Sequence, residues 1–400
     1  MNPLVSALVS LVAVATTVSP FGLYHHVPAS DLDKPAVRSE LSAFRLVTLR
    51  GEAGVTTGAV GQFLEKRGNA TVFLYRRGTA VSGEEAASLA AAHPDWLARD
   101  AGGTVVTSNA GGQVIDITNP AVRKWLVAGV ATDVAKGKYD GVYLDVLGAF
   151  FSSRFYSARP VVAGEPLADS AWRDASVALI RGVKQATGKP VVANGFGIQN
   201  GKNYADHKAD ADQLIAAADG IQIEQFVRNG NMALDKYKRT NRWRQDVEFL
   251  GDVGRLGKIV LADTRVRAAA DAVAVDRQRE YALASFLVGA HGPARFRFAE
   301  GAATGKVDTD DAAVIAGLGR PLADAKRAGE GFTRAFAHGS VSVDPATHDA
   351  RIVVGRNTVT TAPPPREGVT KFYVVGVAAA VLVIGGVVFG GRHRLRRRRD

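Results

Sequence analysis

Short runs in which apolar and polar residues alternate with a period of two take turns, along most of the chain, with longer runs of period near 3.6. Phe44–Arg50 and Thr71–Arg76 read as strands on either side of a helix over Thr56–Arg67 that Gly68 closes. Ser82–Gly112 carries Pro94, Trp96, Asp100 and a Gly102-Gly103 pair, which predicts a helix followed by a loop with a short hairpin. Val114–Ile117 reads as the third strand, and Asn119-Pro120 opens a helix with the body Ala121–Ala135, stopped by Gly137. Gly141–Asp145 is the fourth strand. A loop rich in aromatics (Phe150, Phe151, Phe155, Tyr156) follows it, of a kind that walls a cleft, and leads into a helix over Ala171–Thr187. Pro190–Asn194, Gly220–Glu224, Lys258–Asp263 and Ala294–Phe298 supply strands five to eight, between helices at Asp206–Ala218, Lys236–Leu256 and Ala269–Gly289.

Eight strands alternating with helices over about 255 residues predict an α/β chain built on a parallel (β/α)8 TIM barrel, here residues 40–300, with a doubly wound open sheet as the rival. Residues 301–357 add a helix and a small C-terminal β appendage, a hairpin from Phe332–Val343 and Arg351–Val354. Thr360-Thr361 and Pro363-Pro364-Pro365 make 358–371 a stiff Pro-rich stalk. Phe372–Gly391 is twenty residues without a charge, a helix of about 30 Å, and six arginines follow within 392–400. That cluster belongs on the cytoplasmic side, so the sequence predicts a single C-terminal transmembrane helix with the barrel outside the cell. Residues 1–22 contain an apolar stretch with Ala13-Val14-Ala15 as a cleavage site, read as a signal peptide or an uncleaved N-terminal hydrophobic segment.

Composition sharpens this outline at three points. The absence of cysteine removes thiol nucleophiles, disulfides and zinc-thiolate sites. Of the net charge of +11, the C-terminal tail supplies five through six Arg and one Asp; the rest is dispersed, which together with export argues for no nucleic-acid partner. The eight histidines show no HxH or HExxH spacing, and His25-His26 falls before the expected barrel, so no metal is assigned. Gly195-Phe196-Gly197 lacks the GxGxxG setting of a nucleotide site.

Side chains alternate across a strand, so Asp145 shares a face with Gly141 and Tyr143 while Val142 and Leu144 face the helices. Glu224 holds the equivalent end of Gly220–Glu224, with Gln222 inward and Ile221 and Ile223 outward. Asp116 on strand three, Asn194 on strand five and Asp263 on strand seven complete five polar groups expected at one mouth. Paired carboxylates there suit glycoside hydrolysis, in which one acid donates a proton to the leaving oxygen and the other, ionised, attacks or activates water. Asp116, Asp145, Glu224 and Asp263 as magnesium or calcium ligands form the competing reading. Tyr75, Trp96 and Phe226 are candidate sugar-contacting aromatics.

In that order, Pro94-Asp95-Trp96-Leu97 with Asp100, Asp116-Ile117-Thr118-Asn119-Pro120, Tyr139–Asp145, Asn194-Gly195, Gly220–Phe226, Arg334-Ala335-Phe336 and Gly339-Ser340-Val341 resemble the hypothetical glycoside hydrolases with a TIM barrel. Those are distantly similar to endo-α-1,4-polygalactosaminidases and to α-galactosidase-like barrels. The resemblance implies Asp145 as nucleophile or stabilising carboxylate and Glu224 as acid/base, and it implies no cofactor. Val146 departs from the pattern, where an Asn or another polar residue is typical. The sequence therefore predicts a membrane-anchored glycoside hydrolase acting on a polysaccharide, with Asp116, Asn194 and Asp263 orienting it. The alternative is an inactive polysaccharide-binding barrel of the cell envelope.

Overall fold

The computed structural model describes residues 19–355, apart from 29–30, 33–39, 51–60, 64, 66–67, 110, 152–154, 197–206, 268–270, 302–305 and 308. The expected signal segment up to residue 18, most of the expected helix Thr56–Arg67, the stalk, the span 372–391 and the basic tail lie outside the described residues. Among the described residues, no helix is long and apolar enough to cross a membrane.

Eight parallel strands form the centre: β1 (Gly22–Pro28), β2 (Phe44–Arg50), β3 (Thr71–Arg77), β4 (Gly141–Asp145), β5 (Val191–Ala193), β6 (Gly220–Glu224), β7 (Ile259–Val266) and β8 (Ala294–Glu300). They pair in chain order, and β8 returns to β1 through Gly22↔Arg295 and Leu23↔Phe296. Closure leaves the ring no free edge and gives all eight C-terminal ends one common mouth.

Two expectations are corrected here. The barrel begins at Gly22, upstream of residue 40, so His25 and His26 sit on its first strand. Val114–Ile117 is not a barrel strand: Gln113–Val114 pairs antiparallel with Ala80–Val81 inside an excursion between β3 and the next barrel helix. One strand overlooked and one added left the count at eight and the numbering of β4 to β8 unchanged. The excursion also holds α1 (Gly83–Ala92).

Barrel helices are α2 (Pro120–Gly137), α3 (Asp169–Thr187), α4 (Lys208–Ala217), α5 (Thr240–Arg255) and α6 (Ala272–Gly289), with α7 (Asp310–Leu318) following β8. The side chain of Asn119 caps α2 by accepting from the Ala121 amide, and Pro120 occupies the first turn, where no amide hydrogen is needed.

The buried apolar residues fall into two sets. Outward-facing strand residues, including Val142, Leu144, Ile221 and Ile223, join the helices in one large cluster. Inside the ring, Tyr24, Leu46, Phe73, Tyr143, Val192 and Leu261 form a separate small plug. Gly141 lies in register with Phe73, and a Cβ there would come within 2.5 Å of the Phe73 ring, so the plug needs glycine at that position.

At the C-terminal end, the expected hairpin is part of a four-stranded antiparallel sheet: β9 (Lys326–Ala328), β10 (Gly331–Phe336), β11 (Gly339–Asp344) and β12 (Asp349–Val354). Its strands β10 to β12 pack on α6. The buried Arg334 side chain donates to the carbonyls of Leu287 (3.0 Å), Ala290 (2.5 Å) and Ala323 (2.9 Å). A cation thus caps the carbonyl end of α6 and ties the sheet to it.

Candidate active site

Register brings the chemistry together. Tyr75 and Arg77 of β3 lie opposite Tyr143 and Asp145 of β4; Glu224 of β6 lies opposite Asp263 of β7, which lies opposite Arg297 of β8. Alternation then sends Tyr143, Asp145, Gln222, Glu224, Asp263 and Arg297 to the same side, the barrel interior.

Asp145 is built as an acceptor. Its Oδ1 receives the Asn194 carboxamide (2.8 Å) and the Val146 amide (2.9 Å), and its Oδ2 receives the Tyr75 hydroxyl. Tyr75 is held for this by stacking on Tyr143, centroids 5.4 Å apart and planes 16° from parallel. Asn194 is oriented in turn: its Oδ1 accepts from the Gly195 amide at 2.8 Å, which leaves its nitrogen for the carboxylates. The same Asn194 side chain also favours the charged form of Glu224, so one carboxamide acts on both acids.

The residue after each of these three groups has a left-handed backbone: Val146 (φ 60°), Gly195 (φ 111°) and Gln225 (φ 56°). The strands end at Asp145, Ala193 and Glu224, which leaves Asp145, Asn194 and Glu224 at the rim. A Cβ on residue 195 would lie 1.5 Å from the Leu147 carbonyl oxygen, so only glycine serves there. Val146, the departure noted in the sequence, is β-branched in a conformation that suits Gly or Asn, a local strain beside a site residue.

Glu224 holds its proton unusually well, with its pKa raised from 4.5 to about 7. Burial is the largest cause. The negative charges of Asp145 and Asp263 add to it, while Arg265 and the Asn194 hydrogen bond oppose it. The side chain keeps 29% of its surface accessible, enough for a small molecule to reach it.

Beneath the rim, Asp263 is fully enclosed and clamped, Oδ1 to Arg297 at 2.6 Å and Oδ2 to Arg265 at 2.5 Å. Burial alone would raise its pKa, but the two guanidiniums outweigh that and hold it below the usual carboxylate value. Further down, Gln222 Oε1 accepts the Tyr143 hydroxyl (2.5 Å) and lies 3.1 Å from His26 Nε2, whose Nδ1 meets Thr48 Oγ1 at 2.5 Å. Burial pushes His26 well below its ordinary pKa, so the ring is neutral there.

Of the residues singled out from the sequence, Asp145, Glu224, Asn194 and Tyr75 meet at the mouth. Asp263 shares their face but, at zero exposure, does not reach the surface to orient a substrate. Asp116 is corrected with its strand: its Oδ1 accepts from the Thr118 amide (2.9 Å) and hydroxyl (2.5 Å) in the turn before α2. Trp96 stacks on His93 (3.9 Å, 9°) and packs beside Trp125 of α2, seating the excursion. Phe226 is wholly buried in the large cluster and offers no face to a sugar. Among the described residues, no group of three or more His, Cys, Asp or Glu is placed to hold a metal ion. Arg265, Arg297, Tyr143 and His26 were not singled out; the cue for the two arginines is the alternation in Leu261, Asp263, Arg265 and in Arg295, Arg297, charges spaced by two inside β runs.

The family model described as hypothetical glycosyl hydrolase family 15 matches residues 70–340. Among curated proteins, none matches the chain in sequence. Among solved structures, pullulanase from Anoxybacillus sp. LM18-11, complexed with maltotriose, aligns at a TM-score of 0.51 and 10% identity over 86% of this chain and 65% of that one. A noncanonic maltogenic α-amylase from Thermotoga neapolitana aligns at 0.49 and 11%, over 84% and 94%. At 10% identity the likeness to the pullulanase is one of fold alone.

Proposed function

The chain belongs to hypothetical glycosyl hydrolase family 15, and from that membership we propose that Asp145 and Glu224 are the carboxylate pair with which it cleaves O-glycosidic bonds of a polysaccharide. The observation that carries the assignment is that two carboxylates share one mouth, Asp145 held by three hydrogen-bond donors and Glu224 with its pKa raised to about 7. Glu224 stays protonated close to neutral pH and donates to the leaving oxygen. Asp145, supplied with three donors, faces the positive charge that develops on the sugar, as nucleophile or as the base that activates water. Asn194 and Tyr75 position Asp145. Reducing-end release by wild type, Asp145→Asn and Glu224→Gln over a broad glycan panel tests this, with turnover lost in both variants. Full activity in either removes that residue from the chemistry, and binding without turnover by the wild type makes the barrel a polysaccharide-binding module.

We further propose that the barrel lies outside the cell on a stalk, residues 358–371, anchored by the span 372–391 with the arginine tail in the cytoplasm, where it would meet cell-surface or environmental polysaccharide. The uncharged run and the six arginines after it support this. Since the chain has no cysteine, single cysteines report topology cleanly. A membrane-impermeant maleimide applied to intact cells should label Thr360→Cys and leave Leu395→Cys unlabelled, and the reverse pattern refutes the orientation.

A further inference from the structure

A single nitrogen of Arg265 stands between two carboxylates. Its Nη2 makes an ion pair with Asp263 Oδ2 at 2.5 Å and donates a long hydrogen bond to Glu224 Oε1 at 3.4 Å. The asymmetry is built by the strands on either side. Glu224 and Asp263 are opposite each other in register, Arg265 follows two residues on along the same face of β7, and Arg297 reaches across from β8 to the other oxygen of Asp263 at 2.6 Å. Asp263 and Arg297 have no exposed surface, so neither can turn away to solvent.

We propose that Asp263, fixed by Arg297, is a positioning residue that holds Arg265 back from Glu224 and so sets how firmly the proposed acid keeps its proton. This deepens the carboxylate-pair reading and rests on it. A guanidinium in close contact with Glu224 would favour the carboxylate and leave no proton to give; without any guanidinium, the anion formed by proton transfer would stand uncompensated beside Asp145 and Asp263. At its observed distance Arg265 avoids the first and softens the second. Once the proton has left Glu224 for the leaving oxygen, the new carboxylate and Asp263 share one cation.

The groups that face Glu224 are Asp145 and Tyr143 of β4, Asn194 of β5, Asp263 and Arg265 of β7, and Tyr24 of β1, with Arg297 of β8 behind Asp263. Tyr143 and Tyr24 are raised well above the ordinary phenol value, burial first, and stay neutral. Arg265 and Asp263 are therefore the pair through which the balance is adjusted.

The two partners predict opposite displacements. Asp263→Asn removes a neighbouring negative charge and frees Arg265 to close on Glu224, so the titration midpoint of Glu224 should fall by about one pH unit. Arg265→Gln takes the cation away and leaves the Asp263–Arg297 pair in place, so the midpoint should rise by about one unit. The probe is the proton itself: NMR of the full chain labelled with 13C at the glutamate carboxyl, the Glu224 signal identified by its loss in Glu224→Gln. A midpoint that stays put in both variants, or moves the same way in both, overturns the proposal. Should Asp263→Asn fail to fold, Arg265→Gln decides alone, and a midpoint that is unchanged or lower refutes it. Loss of turnover in Glu224→Gln with an immovable midpoint would sink the positioning role and leave the carboxylate pair standing; full turnover in Glu224→Gln would sink the pair.

Discussion

Replacing Glu224 by Gln should stabilise the protein, and increasingly so as the pH rises. In the folded chain Glu224 gives up its proton near 7, against 4.5 for a free side chain. The stability tied to this proton is intact below about pH 4.5 and is lost as pH rises through about 7, because the unfolded chain ionises first. Two and a half pH units at roughly 1.4 kcal/mol each set a ceiling of about 3.5 kcal/mol. The side chain is 29% accessible, and solvent at the mouth reduces the figure to about 2 kcal/mol. A glutamine of the same shape never ionises and escapes the cost. The stability difference between Glu224→Gln and wild type should therefore widen by about 2 kcal/mol between pH 5 and pH 8, a change of a few degrees in Tm for a domain of this size. Calorimetry of both full chains under identical solution conditions, at matched pH values across that range, reads it directly. Titrating groups away from the mouth behave alike in the two proteins and cancel in the difference. A gap that is constant or narrows with pH would refute the reasoning that burial and the charges of Asp145 and Asp263 hold the proton on Glu224.

Three other substitutions test the frame around the pair. Tyr75→Phe keeps the stack on Tyr143 but removes a donor to Asp145; it should cost about 1 kcal/mol in thermal stability while lowering turnover on any glycan the wild type cleaves, and unchanged turnover would free Asp145 of that hydrogen bond. Gly195→Ala pushes a methyl into the Leu147 carbonyl and should destabilise by about 3 kcal/mol or more in urea unfolding; a near-neutral result contradicts the tight turn behind Asn194. Arg334→Ala strips the cap from α6 and its link to the C-terminal sheet; a loss of about 3 kcal/mol is expected, and a loss below 1 kcal/mol would show the sheet to be held by packing alone.

Strand parity was the most legible layer of the sequence. A period of two leaves no freedom, so once Val142, Leu144, Ile221 and Ile223 are assigned to the helix side, Asp145, Gln222 and Glu224 must point inward, and they do. What a strand pairs with is not written in its own pattern. Val114–Ile117 alternates as a barrel strand does, and only its pairing with Ala80–Val81 shows that it belongs to the excursion, which takes Asp116 off the barrel strands. Gly22–Pro28 is hard to read for the opposite reason: His25, His26 and Pro28 blur its alternation, although Leu23, Tyr24 and Val27 are buried. Arg265 and Arg297 look like surface charges in isolation. Only the convergence of β6, β7 and β8 on Asp263 makes an interior site for them. The left-handed turn at Val146 defeats local reading altogether, since nothing about valine invites that backbone.

The division of the buried apolar residues into two sets has a bearing on how such a protein changes over time. The wide layer between strands and helices, anchored by Trp172, Trp243 and the aliphatic rows of β4 and β6, holds the shape. The ring's own interior contributes only a small plug and leaves its upper part to Asp263, Arg265, Arg297, Asn194 and the two acids. A mutation that retunes the mouth therefore draws little from the interactions that keep the barrel closed. A lineage can exchange one sugar specificity for another, or let catalysis lapse and keep binding, without first evolving a new scaffold.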